Sequence, residues 1–202
     1  SHFAESTQEL NITGICGSGI IEVVAEMFLA GVISEDGIVD GALAERSSRV
    51  RSHGRTWSYV LYFAEDETQR YIVVTQNDVR QIQLAKAALY AGIKLLMDKM
   101  GVSAVDRIRL AGAFGSHISV EHAMVLGLLP DCALDHVSSA GNAAGVGARI
   151  ALLDHKARGT IQQTVNRAER IETATESDFQ DYFVAAMAFP CLLYTSDAAD
   201  EG

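Results

Sequence analysis

The stretch RIRLAGAFGSHIS (107–119) decides how the rest of the chain is read. Arg107, Ile108, Arg109 and Leu110 alternate polar and apolar as a half-buried strand does. The run then ends in Ala111-Gly112-Ala113-Phe114-Gly115, and a helix-like segment follows, predicted from about Ser119 to Leu126 before the stop GLLP. A strand that ends in so many small residues is either a tight packing turn or a backbone surface against which a nucleotide can lie.

Outward from that point the same device occurs twice more. ITGICGSGIIEVVAEMFLAGVI (12–33) opens with Gly14, Cys16, Gly17, Ser18 and Gly19. Its apolar Ile20, Val23, Val24, Met27 and Phe28 then recur at helical spacing, with Gly31 as the stop. SSAGNAAGVGARIALL (138–153) gives a third small-residue turn, around Gly141 and Asn142, leading into an Ala-rich helix. In all three, a helix N-terminus with glycine before it favours phosphate or sugar oxygens. Glycine turns before helices also serve plain packing, so from the residues alone both uses stand.

Between the first and second turns the chain changes character. Residues 34–56 are polar, dotted with glycine and without period, which predicts loop with short strands. TWSYVLYFA (56–64) and QRYIVVTQ (69–76), separated by EDET, predict a β-hairpin. Thr75 with Asp78 has the capping-box spacing, so a long helix is predicted from about Asp78 to Met100. Its expected buried stripe is Ile82, Ala85, Leu89, Ile93, Leu96 and Met100, with Gly101 ending it. Further on, ERIETATE (169–176) reads as an edge strand, and Thr175 with Asp178 as the cap of a last helix, DFQDYFVAAMAF. Helices, strands and glycine turns in this order predict a layered α/β domain.

Bulk properties narrow the function classes. The 202 residues are 49% hydrophobic and 21% charged, with a formal net charge of −10. That charge argues against general nucleic-acid binding, which needs clustered Lys and Arg to displace counterions. No apolar run reaches the roughly 18 residues of a membrane helix, and SHFAESTQEL (1–10) lacks the basic start and apolar middle of a signal peptide. Cys16, Cys132 and Cys191 are few and unpaired in spacing, which suggests reduced thiols in a cytoplasmic setting and no metal or cluster motif. Cys16, at a predicted helix N-terminus, has the setting that lowers a thiol pKa, but no base lies near it in sequence. The six histidines are scattered, no P-loop or HExxH spacing occurs, and no catalytic or metal-ligating set emerges.

Four segments in order carry a resemblance: GICGSGIIEVVAEMFLAGVI, TQNDVRQIQLAKAALYAGIKLLMDKMG, IRLAGAFGSHISVEHAMVLGLLP and AGNAAGVGARIALL. Together, over about residues 12–190, they resemble the C-terminal ATPase domain of the reductive activators of corrinoid proteins. These are iron–sulfur proteins that use ATP to return cob(II)alamin to cob(I)alamin. The resemblance implies a ribonuclease H-like lobe of the sugar kinase, Hsp70 and actin type, with a small β-hairpin insertion. It divides the chain into a β-rich insertion (34–76), an adenosine-binding lobe core (77–155) and a C-terminal strand and helix (156–190).

Carried over by position, Leu110–Gly115 matches the superfamily's adenosine motif, which puts Gly112, Ala113, Phe114 and Gly115 against the nucleoside. Gln83 and Lys86 are implied as polar contacts from the preceding helix. Gly17, Ser18 and Gly19 open one element connecting the lobes, and Gly141 and Asn142 open the other. Ala111-Gly112 stands where a Gly-Gly pair is more usual. The hairpins that hold the ATP phosphates and magnesium, and the [2Fe–2S] domain, are expected upstream of residue 1, so the chain alone is expected to be inactive. The implied partner is a corrinoid protein, with homodimerisation left open and no nucleic acid or membrane involved. Two other readings stand beside this one: a non-catalytic interaction domain of the same fold, and an activator ATPase of another low-potential enzyme. The final CLLYTSDAADEG (191–202) resembles a translated sequencing adaptor and is expected to lie outside the domain.

Overall fold

The computed structural model describes residues 12–63, 71–112 and 114–190. The turn EDET, Ala113, Cys191 and the 191–202 tail lie outside them. Among the described residues the helices and strands run in order α1 (Gly17–Leu29), β1 (Val50–His53), β2 (Thr56–Tyr62), β3 (Ile72–Thr75), α2 (Gln76–Met100), β4 (Ile108–Ala111), α3 (Val120–Val125), β5 (Val137–Gly141), α4 (Ala143–Leu153), α5 (His155–Arg167) and α6 (Ser177–Ala185). Short 3-10 turns at Gly41–Glu45, Phe114–Ser116, Leu134–His136 and Thr173–Thr175 join them.

The predicted hairpin is present as the antiparallel pair β2–β3, with Tyr59 opposite Val74. β1 extends it to a three-stranded sheet in the order β1-β2-β3. The second sheet is the parallel pair β4–β5, with Ile108 opposite Val137 and Leu110 opposite Ser139. The main core lies between α1, the three-stranded sheet, α3 and the start of α2. Val24, Val74, Val79, Leu126 and Phe189 are its largest members with no exposed surface. Burying a side chain of this size contributes about 1.5–3 kcal/mol, so this cluster holds α1 against the segment around Phe189.

The capping box predicted for the long helix is formed. The Thr75 N–H donates to Asp78 Oδ2 at 2.8 Å, and the Asp78 N–H donates to Thr75 Oγ1 at 3.2 Å. Gly101 ends the helix at φ +66°, a left-handed conformation that glycine takes without a Cβ penalty. The buried stripe is rotated from the predicted one, however. Val79, Gln83, Lys86, Ala87, Tyr90, Ala91 and Leu95 face inward, whereas Leu89, Leu96 and Met100 are 45%, 49% and 74% exposed. The physical reason is that α2 packs on α6 and the C-terminal segment, where backbone carbonyls accept hydrogen bonds from Gln83 and Lys86. With those polar groups satisfied, the face that is best buried is not the most apolar one.

Three other expectations are corrected. Residues 169–176 form no strand but lead into the 3-10 turn Thr173–Thr175, with Glu169, Ile171 and Thr173 lining a pocket against α2 instead of pairing with a sheet. Thr175 does not cap α6, because its hydroxyl donates to the Glu172 carbonyl at 2.8 Å, and α6 starts after Glu176 with no side-chain cap. VSSAG (137–141), read as turn, supplies strand β5, and the unpredicted α5 follows, capped by Asp154, whose Oδ1 accepts from the Lys156 N–H at 2.8 Å.

Candidate functional site at the ends of two parallel strands

Because β4 and β5 run parallel and adjacent, the glycine turns that follow them end up side by side. Parallel strands expose their carboxyl ends in this way, and ligands of open α/β sheets bind there. The Gly112 N–H donates to the Gly141 carbonyl at 2.8 Å, which stitches the two turns together. Gly112 sits at φ +106° and Gly141 at φ +60°, and a Cβ built on either would meet nothing within 4 Å. The two residues therefore present bare backbone with open space above it. Gly115 is required for the opposite reason: a Cβ there would stand 2.9 Å from Leu110 Cβ and 3.3 Å from its carbonyl carbon.

Two serines that sequence reading did not single out brace this surface. Ser116 Oγ donates to the Gly112 carbonyl at 3.1 Å, and Ser139 Oγ donates to Ser116 Oγ at 3.2 Å. Ser139 Oγ in turn accepts the Gly141 N–H at 3.1 Å. Their signal in sequence was weak, because serine beside glycine reads as generic turn. Asn142 closes the site from the helix side, its Oδ1 accepting from the Gly145 N–H at 2.9 Å, so that the N-terminus of α4 abuts the strand ends. The arrangement suits a planar, polar ligand laid on backbone, with hydrogen-bonding groups at its rim and a helix dipole on one side. Among the described residues no group of three His, Cys, Asp or Glu could hold a metal ion.

The remaining sequence candidates lie elsewhere. Gly17, Ser18 and Gly19 start α1, beside a cavity of about 700 Å³ lined by Ile12–Gly17, Ile20, residues 71–73, Asp78, Gln81 and Ile82. Cys16 caps that helix, its Sγ accepting from the Gly19 N–H at 3.3 Å. The hydrogen bond with the Ser18 hydroxyl, then that of Gly19, holds the thiol below its usual pKa. Gln83 and Lys86 are 3% and 0% exposed and bind the chain's own backbone. Gln83 Nε2 donates to the carbonyls of Asp36 and Met187, each at 3.0 Å. Lys86 Nζ donates to the Ala188 carbonyl and lies 5.0 Å from the Phe189 ring centroid. These two residues clamp the C-terminal segment rather than face the strand ends.

The family described as the C-terminal domain of RACo, the ASKHA domain, matches residues 2–196 of this chain. The chain belongs to that family. Its similarity to known members runs through both sequence and structure. It is 34% identical over 184 residues to the corrinoid activation enzyme RamQ of Eubacterium limosum, covering 87% of this chain and 31% of that protein. It matches the solved structure of a reductive activator for corrinoid, iron–sulfur protein with a TM-score of 0.78 and 32% identity, over 88% of this chain and 28% of that one. The chain thus spans about a third of the length of these ASKHA-domain relatives, and its mixed α/β architecture is the ASKHA fold.

Proposed function

We propose that this chain is the adenosine-binding part of an ATP-dependent reductive activator, one that returns a corrinoid protein's cofactor from the cob(II) to the cob(I) state. The observation that carries the reading is the pair of stitched, open glycine backbones, Gly112 and Gly141, at the carboxyl ends of β4 and β5. The likeness to two corrinoid activators supports it. Gly112, Gly115 and the flanking Ala113 and Phe114 supply the surface for the nucleoside, and Gly141 with Asn142 supplies the adjoining helix terminus. Gln83 and Lys86 contribute by fixing α2 and the C-terminal segment. ATP, with magnesium, supplies the free energy for an electron step that is otherwise uphill. The phosphate-holding residues and the [2Fe–2S] centre belong to other parts of the longer protein. A ligand of this kind acts on the partner by favouring one arrangement of the lobes over another. We place the work in the cytoplasm, where sparse cysteines stay reduced.

The test is calorimetric titration of the full-length protein with magnesium and ATP. Gly112→Val puts a branched side chain over the open backbone and is expected to weaken ATP binding at least tenfold, about 1.4 kcal/mol. Because φ +106° strains any L side chain, the denaturation midpoint is read alongside. Unchanged affinity in a folded variant refutes the site, and absence of any ATP binding by the wild type refutes the function.

A further inference from the structure

The chain as a whole is strongly acidic, yet residues 46–55 (RSSRVRSHGR) contain four arginines, one histidine and no acid. The structure sets this run on the segment before β1, on β1 itself, an edge strand of its sheet among the described residues, and on the turn into β2. Arg46, Arg51 and Arg55 are exposed, as is Arg80 near the start of α2. The ion pairs among the described residues are Lys94–Asp98, Lys99–Glu176, His122–Glu26 and Arg170–Glu172, and none engages these arginines.

The arginines have two distinct roles. Arg49 is structural: its Nη1 donates to the carbonyls of Val60 and Leu61 at 2.8 and 2.9 Å. Arg51 is held for presentation. Its guanidinium lies 5.0 Å from the Phe63 ring centroid and 4.9 Å from that of Tyr71, and its Nε donates to the Ser48 carbonyl at 3.1 Å. The two ring contacts and one backbone bond restrain the guanidinium, and among the described residues its two terminal nitrogens make no hydrogen bond. A guanidinium fixed in this way loses little entropy on meeting a carboxylate, and such arginines are common energetic centres of interfaces.

We infer that the β1–β2 hairpin is a docking surface for an acidic segment of a partner protein, with Arg51 at its centre and Arg46 and Arg55 around it. A protein carboxylate is favoured over nucleic acid because a guanidinium fork matches the two oxygens of one carboxylate, whereas a duplex needs a longer run of cations than these few arginines supply. The surface stands independently of the proposed function, which bears only on whether that partner is the corrinoid protein. Charges on an edge strand also guard against sheet-to-sheet aggregation, but a guard needs charge alone and not a guanidinium held beside two rings and a carbonyl.

The test titrates the full-length protein with poly-L-glutamate, following binding by fluorescence anisotropy at low salt and at 0.15 M salt. Wild type is expected to bind, less tightly at the higher salt, and Arg51→Gln to weaken binding at least about fivefold. Arg51→Lys is expected to lose most of the same affinity, because the charge stays and the fork goes; wild-type affinity in this variant assigns the arginines to edge guarding and overturns the proposal. Arg167→Gln, an exposed arginine on α5, is expected to change nothing, and an equal loss there overturns it too. So does a short DNA duplex bound as tightly as poly-L-glutamate. If Arg51→Gln fails to fold, the double variant Arg46→Gln/Arg55→Gln carries the same comparison. A wild type that binds poly-L-glutamate but not a corrinoid protein sinks the proposed function and leaves the docking surface standing.

Discussion

Helices α1 and α4 start from the same local chemistry and end in opposite environments. Each follows a glycine turn, and each has a side chain capping its third residue, Cys16 Sγ on Gly19 and Asn142 Oδ1 on Gly145. Each is rich in apolar residues. Yet α1 buries Ile21, Val24, Ala25 and Met27, while α4 buries none and leaves Val146, Ile150, Leu152 and Leu153 between 44% and 78% exposed. The difference lies in what is brought over them. α1 is covered by α3, by the sheet and by Phe189, whose ring stands 6.0 Å from that of Phe28. His122 pins the contact, its Nε2 2.9 Å from Glu26 Oε1 and its Nδ1 2.7 Å from Ser119 Oγ. α4 packs with α5, which itself buries no residue. Local signals form a helix; burial is a decision of the neighbours.

The sharpest way to break this comparison is a pair of truncations. Leu126→Ala, at a fully buried position under α1, is expected to cost about 3–5 kcal/mol in urea unfolding. Leu153→Ala, 78% exposed on α4, is expected to stay within about 0.5 kcal/mol. Similar costs at the two sites mean that α4 is covered in solution and that its exposure here is not its working state.

Lys86→Ala comes next. It removes a buried stem and one donor to the Ala188 carbonyl, so a loss of about 2–3 kcal/mol is expected. If the clamp is its role, the ATP affinity of the folded variant stays within about twofold of wild type; a large loss of affinity with little loss of stability restores Lys86 to the nucleotide site.

The smallest effect concerns the contact of α2 with α6. The hydrogen bond to Asp98 raises the Tyr182 pKa to about 12, and Lys94, then Tyr182, lower that of Asp98. Tyr182 therefore favours the folded state fully below pH 10 and loses that contribution as pH rises towards 12. Asp98 contributes above its ordinary carboxylate range, and the contribution fades as pH falls through its lowered value. An ultraviolet titration of the tyrosines is expected to show one late phenol, which Asp98→Asn moves back towards 10. A late phenol that survives the substitution breaks the assignment.

How much was legible in the sequence follows from where each signal originates. The capping box at Thr75 and Asp78, the hairpin and the end of α2 at Gly101 depend on a few adjacent residues, and all three are present. The strand leading into Gly112 was legible for the same reason. The inward face of α2 was not, since the polar Gln83 and Lys86 are buried where carbonyls 47 to 104 positions away accept from them. Strand β5 was missed because Val-Ser-Ser-Ala-Gly has little β preference of its own and forms by pairing with β4.

By itself, then, the sequence determined the family motifs, the caps and the glycines, because these rest on backbone conformations that neighbouring residues impose. Tertiary structure alone decided that the turns after β4 and β5 meet while the turn before α1 lies beside another cavity. It also decided that Lys86 donates to the Ala188 carbonyl and that the Arg51 guanidinium lies beside Phe63 and Tyr71. Those outcomes depend on distances across the fold, and sequence spacing does not encode distance between elements until they pack.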